Sequence, residues 1–152
     1  MKTKLFLILA IISLLLVACA KTPTTTNSQA EKSEFTVYKS ANCGCCGGYV
    51  SMLKEQGLTV ETINVQDTTK IKKEHNIPDD MLSCHTTVVG KYFIEGHVPY
   101  EAVEKLLREQ PDIDGIALPG MPAGSPGMSG AKRGTWTIFA IKDGQTSVFM
   151  EV

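Results

Sequence analysis

Apolar and polar positions follow several different rhythms along the chain, and each rhythm predicts an element. Leu5 to Val17 is an almost unbroken apolar run with Ser13 as its one interruption. Phe35 to Lys39 is a short stretch of Val and aromatic residues that reads as a strand. Cys46 to Gln56 carries Tyr49, Val50 and Leu53 at helical spacing, with Gly57 as the expected C-cap. Leu58 to Val65 alternates like a second strand, with Leu58, Val60, Thr62 and Asn64 opposing Thr59, Glu61, Ile63 and Val65. Asp67 is the expected N-cap of a helix through His75, which Asn76-Ile77-Pro78 ends. Residues 79–83 read as a short turn. Thr86 to Val89 and Tyr92 to Glu95 read as two strands joined by a tight turn at Gly90-Lys91. Pro99 suits the first turn of a helix to about Glu109. Residues 111–130 are dense in Gly and Pro, which predicts no regular structure there. Thr135 to Ile141 and Thr146 to Val152 predict a β-hairpin across Asp143-Gly144.

The order of elements is β-α-β-α-β-β-α, followed by the Gly/Pro segment and the hairpin. That layout predicts an α/β, thioredoxin-like fold with a C-terminal Gly/Pro/Met loop and a β-hairpin extension. The apolar run at the start belongs to a different category. At roughly 13 residues it is short for a membrane span, which needs about 20. Behind Lys2 and Lys4 it has the form of a signal peptide. It closes on Leu16-Val17-Ala18-Cys19, which resembles a bacterial lipobox and makes Cys19 the expected lipidation site. The expected organisation is a lipoprotein signal peptide over 1–18 and a flexible tether over 19–33. A metal-binding domain over 34–152 follows. Acyl chains on Cys19 would then hold the protein at a membrane.

Composition narrows the function classes. The whole chain has 15 basic and 16 acidic residues, for a net charge of −1. Losing Lys2 and Lys4 makes the mature chain more acidic still. Nucleic-acid binding normally demands a basic face, so that class is not expected. Export to an oxidising compartment makes the thiols either paired or ligand-protected.

The chemistry concentrates in Cys43-Gly44-Cys45-Cys46, three thiols in four positions. Neighbouring Cα atoms are about 3.8 Å apart, whereas a relaxed disulfide wants roughly 4.4–6.8 Å. Cys45 and Cys46 are therefore poor partners for each other. Cys43 can pair with one of them, which leaves the other to Cys84, a metal, or nothing. The cluster falls at the N-terminus of the first predicted helix, where exposed amides and the helix dipole are expected to lower the pKa of Cys46, and of Cys45 in the first turn. In this topology the loop before the third strand lies beside that helix end, and the fourth strand returns to it. Cys84, His85 and His97 are thus expected to approach Cys43, Cys45 and Cys46. His85 directly follows Cys84, and strand alternation argues against both side chains facing the site. His75, near a helix end, reads as solvated and structural. Met121 and Met128 each follow a Gly inside the Gly/Pro segment, away from any periodic core, which makes their thioethers candidate ligands. Thiolates and thioethers favour Cu(I). Zinc shares the taste for thiolate, but methionine tips the balance to copper.

Val37-Tyr38-Lys39-Ser40 leading to Cys43-Gly44-Cys45-Cys46-Gly47, then Ser83-Cys84-His85-Thr86, Ile94-Glu95-Gly96-His97-Val98-Pro99, and the run from Pro119 through Gly120-Met121 to Gly127-Met128 together resemble the CopG-type metal-binding proteins of bacterial copper resistance. The resemblance runs in the same order from about residue 35 to 150. It implies a thioredoxin-like fold, an extracytoplasmic location and a role in copper tolerance. It also implies copper held by Cys43, Cys45, Cys46 and Cys84, with His97, Met121 and Met128 as further candidates. A thiol-bridged, multinuclear copper cluster and copper redox turnover are part of the same expectation. The expected partners are copper ions, a membrane through the lipid anchor, and a copper-handling or redox protein.

Two rival readings remain. A thiol–disulfide oxidoreductase would use the C-x-x-C spacing of Cys43 and Cys46. Against it, the motif lacks the bulky or Pro residues usual between such cysteines, and His85-Thr86-Thr87 stands where similar oxidoreductases carry a cis-proline. A zinc-stapled interaction module would need a redox-silent metal and tolerance to loss of Met121 and Met128.

Overall fold

A computed structural model describes residues 34–152. The expected signal peptide, Cys19 and the tether lie outside the described residues. Among the described residues, seven strands, three α-helices and one 3-10 turn make up the fold. In chain order they are β1 (Glu34–Ser40), α1 (Gly44–Glu55), β2 (Thr59–Val65), α2 (Thr69–Glu74), the 3-10 turn (Asp79–Met81), β3 (Thr86–Val89), β4 (Tyr92–Glu95), α3 (Tyr100–Glu109), β5 (Gly115–Ala117), β6 (Thr137–Lys142) and β7 (Gln145–Glu151).

All seven strands share one sheet in the order β2-β1-β3-β4-β5-β6-β7. β1 runs parallel to β2 and β4 parallel to β5, while the other neighbours are antiparallel. Alternation puts Phe35 and Val37 of β1 into the core. One large core cluster joins Tyr49, Val50 and Leu53 of α1 and Ala102, Val103 and Leu106 of α3 to the sheet. A smaller cluster gathers Ile77, Met81, Phe93, Ala117 and Ile141. Because Phe93 and Ile94 are consecutive on β4 and fall in different clusters, the two cores occupy opposite faces of the sheet. The result is a mixed α/β sandwich with β4 at its centre, buried along its whole length.

The predicted elements are present, with shifts at their ends. α1 begins two residues earlier than expected, because Cys43 itself caps it and its Sγ accepts from the Cys46 amide at 3.4 Å. Asp67 stands one residue outside the cap position of α2, yet its carboxylate accepts from the Thr69 amide at 2.8 Å and hydroxyl at 2.6 Å. The final hairpin turns on Asp143 and Gly144, both with positive φ, as a two-residue turn with strand-matching twist requires.

One expectation fails. Residues 111–130 are not wholly irregular, since Gly115-Ile116-Ala117 forms β5 between β4 and β6. Three residues hold too little pattern to announce a strand. This one is templated by neighbours on both sides. Gly115 is required there, because a Cβ would stand 2.3 Å from the Phe93 carbonyl oxygen.

Candidate metal centre

The site is built where three separate segments meet at one end of the sheet. The first is the β1–α1 corner. β1 ends at Ser40, the Cys43 amide bonds back to the Ser40 carbonyl at 3.1 Å, and α1 starts at once. Within this corner Cys43 and Cys46 form a disulfide, with their Cα atoms 5.3 Å apart. Cys45 remains a free thiol, its Sγ 3.5 Å from that of Cys43.

The second segment is Ser83-Cys84-His85, between the 3-10 turn and β3. Cys84 is also a free thiol, and its Sγ lies 3.5 Å from that of Cys46. His85 Nδ1 lies 3.5 Å from the Cys84 sulfur. His85 precedes β3 rather than lying on it, so strand alternation does not turn its ring away from its neighbour. Contrary to the expectation from strand alternation, Cys84 and His85 both face the site.

The third segment is Gly96-His97, just past β4. His97 Nε2 stands 3.0 Å from the Cys84 sulfur. Its Nδ1 stands 2.7 Å from the Pro126 carbonyl oxygen. A carbonyl only accepts, so the proton belongs on Nδ1, and Nε2 presents its lone pair to the sulfur. The donor atoms form two overlapping groups, Cys43, Cys45, Cys46 and Cys84 in one and Cys46, Cys84, His85 and His97 in the other. Within each group all donor atoms lie within 4.8 Å of one another.

Electrostatics keeps both imidazoles neutral. Burial, then His97, Lys72 and Lys39, push His85 down to about 3. Burial also lowers His97, against the opposing effect of its bond to Pro126. Neutral imidazole is the form that ligates. Cys84 goes the other way, to about 11, through burial first and the nearby Cys45 second. The expected helix-end activation of Cys46 is superseded by its disulfide. Cys84, which belongs to another segment, feels burial more than any helix end. The Tyr49 ring backs the site, 4.5 Å from the His85 ring and edge-on to His97 at 5.8 Å.

The Gly/Pro segment closes over this corner. The Gly120 amide bonds to the Leu82 carbonyl at 3.1 Å, and the Ser83 hydroxyl donates to the Gly120 carbonyl. Gly127 lies so close to α1 that a Cβ there would sit 2.3 Å from the Cys45 carbonyl oxygen. Met128, one residue on, is half-buried, whereas Met121 is 54% exposed. His75 caps the end of α2 and packs on Phe93 with ring centres 5.6 Å apart, so it is part of the fold's packing.

Sequence reasoning missed the polar support of the site. Glu95 and Lys72 are buried and paired at 2.5 Å. Glu95 had a signal of its own, a charge ending the apolar run Tyr92-Phe93-Ile94, but nothing in the local pattern pointed to Lys72 as its partner.

The fold and the site together define a small mixed α/β protein with a cysteine–histidine cluster of the kind that holds a soft metal. A family model described as "Protein of unknown function, DUF411" matches residues 81–128, the stretch that carries Cys84, His85, His97 and both loop methionines. Two solved structures are similar over nearly their whole length. One, "Copper resistance protein copG- Form 2", is 38% identical with a TM-score of 0.73, over 79% of this chain and 98% of that one. The other, "Copper resistance protein copG- Form 1", is 39% identical with a TM-score of 0.72, over 78% and 96%. This chain belongs to the CopG family of copper resistance proteins. No curated protein matches it.

Proposed function

We propose that this protein captures copper as Cu(I) in a thiolate site formed by Cys43, Cys45, Cys46 and Cys84, and that it serves copper resistance outside the cytoplasm. The observation that carries the reading is the convergence of four sulfurs within 4.8 Å of one another, with two neutral histidines beside Cys84. Sulfurs this close can bridge more than one soft ion, which favours a multinuclear cluster. His97 is the better placed of the two imidazoles, because its far nitrogen is already fixed by Pro126. Met128 is the more natural thioether ligand, standing next to the glycine that packs on Cys45, and Met121 is exposed enough to hand metal in or out. The strand order β2-β1-β3-β4, with α1 and α3 on one face, supports the thioredoxin-like reading of residues 34–109. Lipidation at Cys19 would tether this domain to a membrane.

With Cys43 and Cys46 bonded, two of the four sulfurs are not free to act as thiolates. Loading therefore begins with a two-electron reduction of that disulfide, and a dithiol or other reductant must supply the electrons. The same disulfide at a helix start favours a second reading, a thiol–disulfide oxidoreductase, and copper redox cycling would link the two.

The test is anaerobic Cu(I) loading of reduced residues 20–152, with copper content and free thiols counted together. Several coppers per chain with masked thiols support the cluster. Cys43→Ser and Cys84→Ser are each expected to lower the copper count. Unchanged binding in both variants would sink the proposal. A metal-free chain that still reduces insulin would favour the oxidoreductase.

A further inference from the structure

Behind the sulfurs lies a buried polar network that belongs to neither apolar cluster. Glu95 is fully buried at the end of β4, and Lys72 of α2 is buried opposite it. The Glu95 carboxylate accepts from Lys72 Nζ at 2.5 Å, from the Ser83 amide at 2.7 Å and from the Thr86 hydroxyl at 2.6 Å. Lys72 also donates to the Thr86 hydroxyl oxygen at 3.1 Å. Ser83 and Thr86 bracket Cys84 and His85, and Glu95 lies two residues before His97. The Gly96 amide bonds to the His85 carbonyl at 3.0 Å, tying the two segments directly. The approach is so close that a Cβ on Gly96 would meet the Ser83 side chain at 2.6 Å.

Stability alone is a weak reason for this arrangement. A buried ion pair is often no better for folding than apolar residues of the same size, because desolvating both charges offsets their attraction. What the carboxylate supplies is geometry. Its two oxygens hold one amide and one hydroxyl on either side of Cys84, and its own backbone leads straight to His97.

We propose that Lys72 and Glu95 are positioning residues that set the spacing of Cys84 and His97, and through it the affinity of the site for Cu(I). This rests on the copper-binding reading above, but the geometric half of it can be read without metal. The decisive comparison is between two double variants, each removing both charges so that neither is left buried alone. Lys72→Met with Glu95→Leu removes the acceptor for the Ser83 amide. Lys72→Met with Glu95→Gln keeps an amide oxygen for it.

Two readouts are needed. The first is the rate at which Cys84 is alkylated in the copper-free, disulfide-bonded chain, mapped by mass spectrometry. The second is Cu(I) affinity against a chromophoric chelator, with the thiolate-to-copper charge-transfer band recorded. The leucine variant is expected to unfold near the wild-type temperature, to alkylate faster at Cys84, and to lose about tenfold or more in affinity. The glutamine variant is expected to stay within about twofold of wild type. Thr86→Val, which removes one arm of the network with little change of shape, is expected to fall between them and serves if the leucine variant does not fold. Wild-type alkylation and affinity in whichever of these two folds would overturn the proposal, as would equal losses in the leucine and glutamine variants. Faster Cys84 alkylation in a protein whose wild type takes up no Cu(I) would uphold the positioning role and refute the copper reading instead.

Discussion

Gly127 shows how much of the site depends on what a residue lacks. Its φ of +82° is the left-handed region, and its missing side chain lets the loop rest on the first turn of α1. Gly127→Ala is expected to cost about 2 kcal/mol or more, through backbone strain and the clash with the Cys45 carbonyl. Urea unfolding of the copper-free chain measures this. His85 supports a second residue-scale prediction. An unfolded chain takes up this proton near pH 6.5, but the folded chain resists until about 3. Between those values the unfolded state holds more protons, so stability falls as pH falls. His97 is shifted in the same direction. The copper-free protein is expected to have its full histidine contribution above about pH 6.5 and to lose about 2–4 kcal/mol on the way to pH 3. Comparing urea unfolding at pH 7 and pH 4 tests it, and His85→Phe should flatten the slope. The cysteines of the site were legible as residues because three thiols in four positions leave few bland explanations. His85 was harder to read, because its orientation depends on where β3 begins. Lys72 was illegible, because a lysine on a short helix with Lys70 and Lys73 close by looks like any solvated face.

At the scale of elements, periodicity found every helix and six of the seven strands. It failed at β5, whose three residues are held by hydrogen bonding to β4 and β6 rather than by any pattern of their own. That failure matters for the architecture, because β5 is the bridge through which the final hairpin joins the sheet. Ile138 on β6 is completely buried in the main core. Ile138→Ala is expected to destabilise by about 2–4 kcal/mol while leaving the copper count per folded chain unchanged. A variant that kept its stability would place the hairpin outside the cooperative unit, and a variant that lost copper would tie the hairpin to the site. α1 and β3 illustrate the opposite case. Their boundaries decide the chemistry, since Cys43 closes the helix start and Cys84 sits just outside the strand.

For the molecule as a whole, the disulfide divides the chain into two chemical forms. Among the described residues, with Cys43 bonded to Cys46 only Cys45 and Cys84 are free, and reduction releases the other two. The reduced chain is expected to take up more Cu(I) than the disulfide-bonded chain, measured by metal content after anaerobic desalting. Equal loading of both forms would remove Cys43 and Cys46 from the ligand set. The large core beneath the site contains none of these sulfurs and neither of the site histidines. Folding is therefore expected not to wait for metal, unlike those small domains that have no folded state until an ion arrives. The candidate donors come from residues 43–46, 84–85 and 97, so a half-made chain holds only the three thiols of its first corner, while the folded chain, once its disulfide is reduced, brings the whole set together. On the copper-binding reading, the metal would be a passenger on a vehicle already built, able to leave again without the vehicle falling apart.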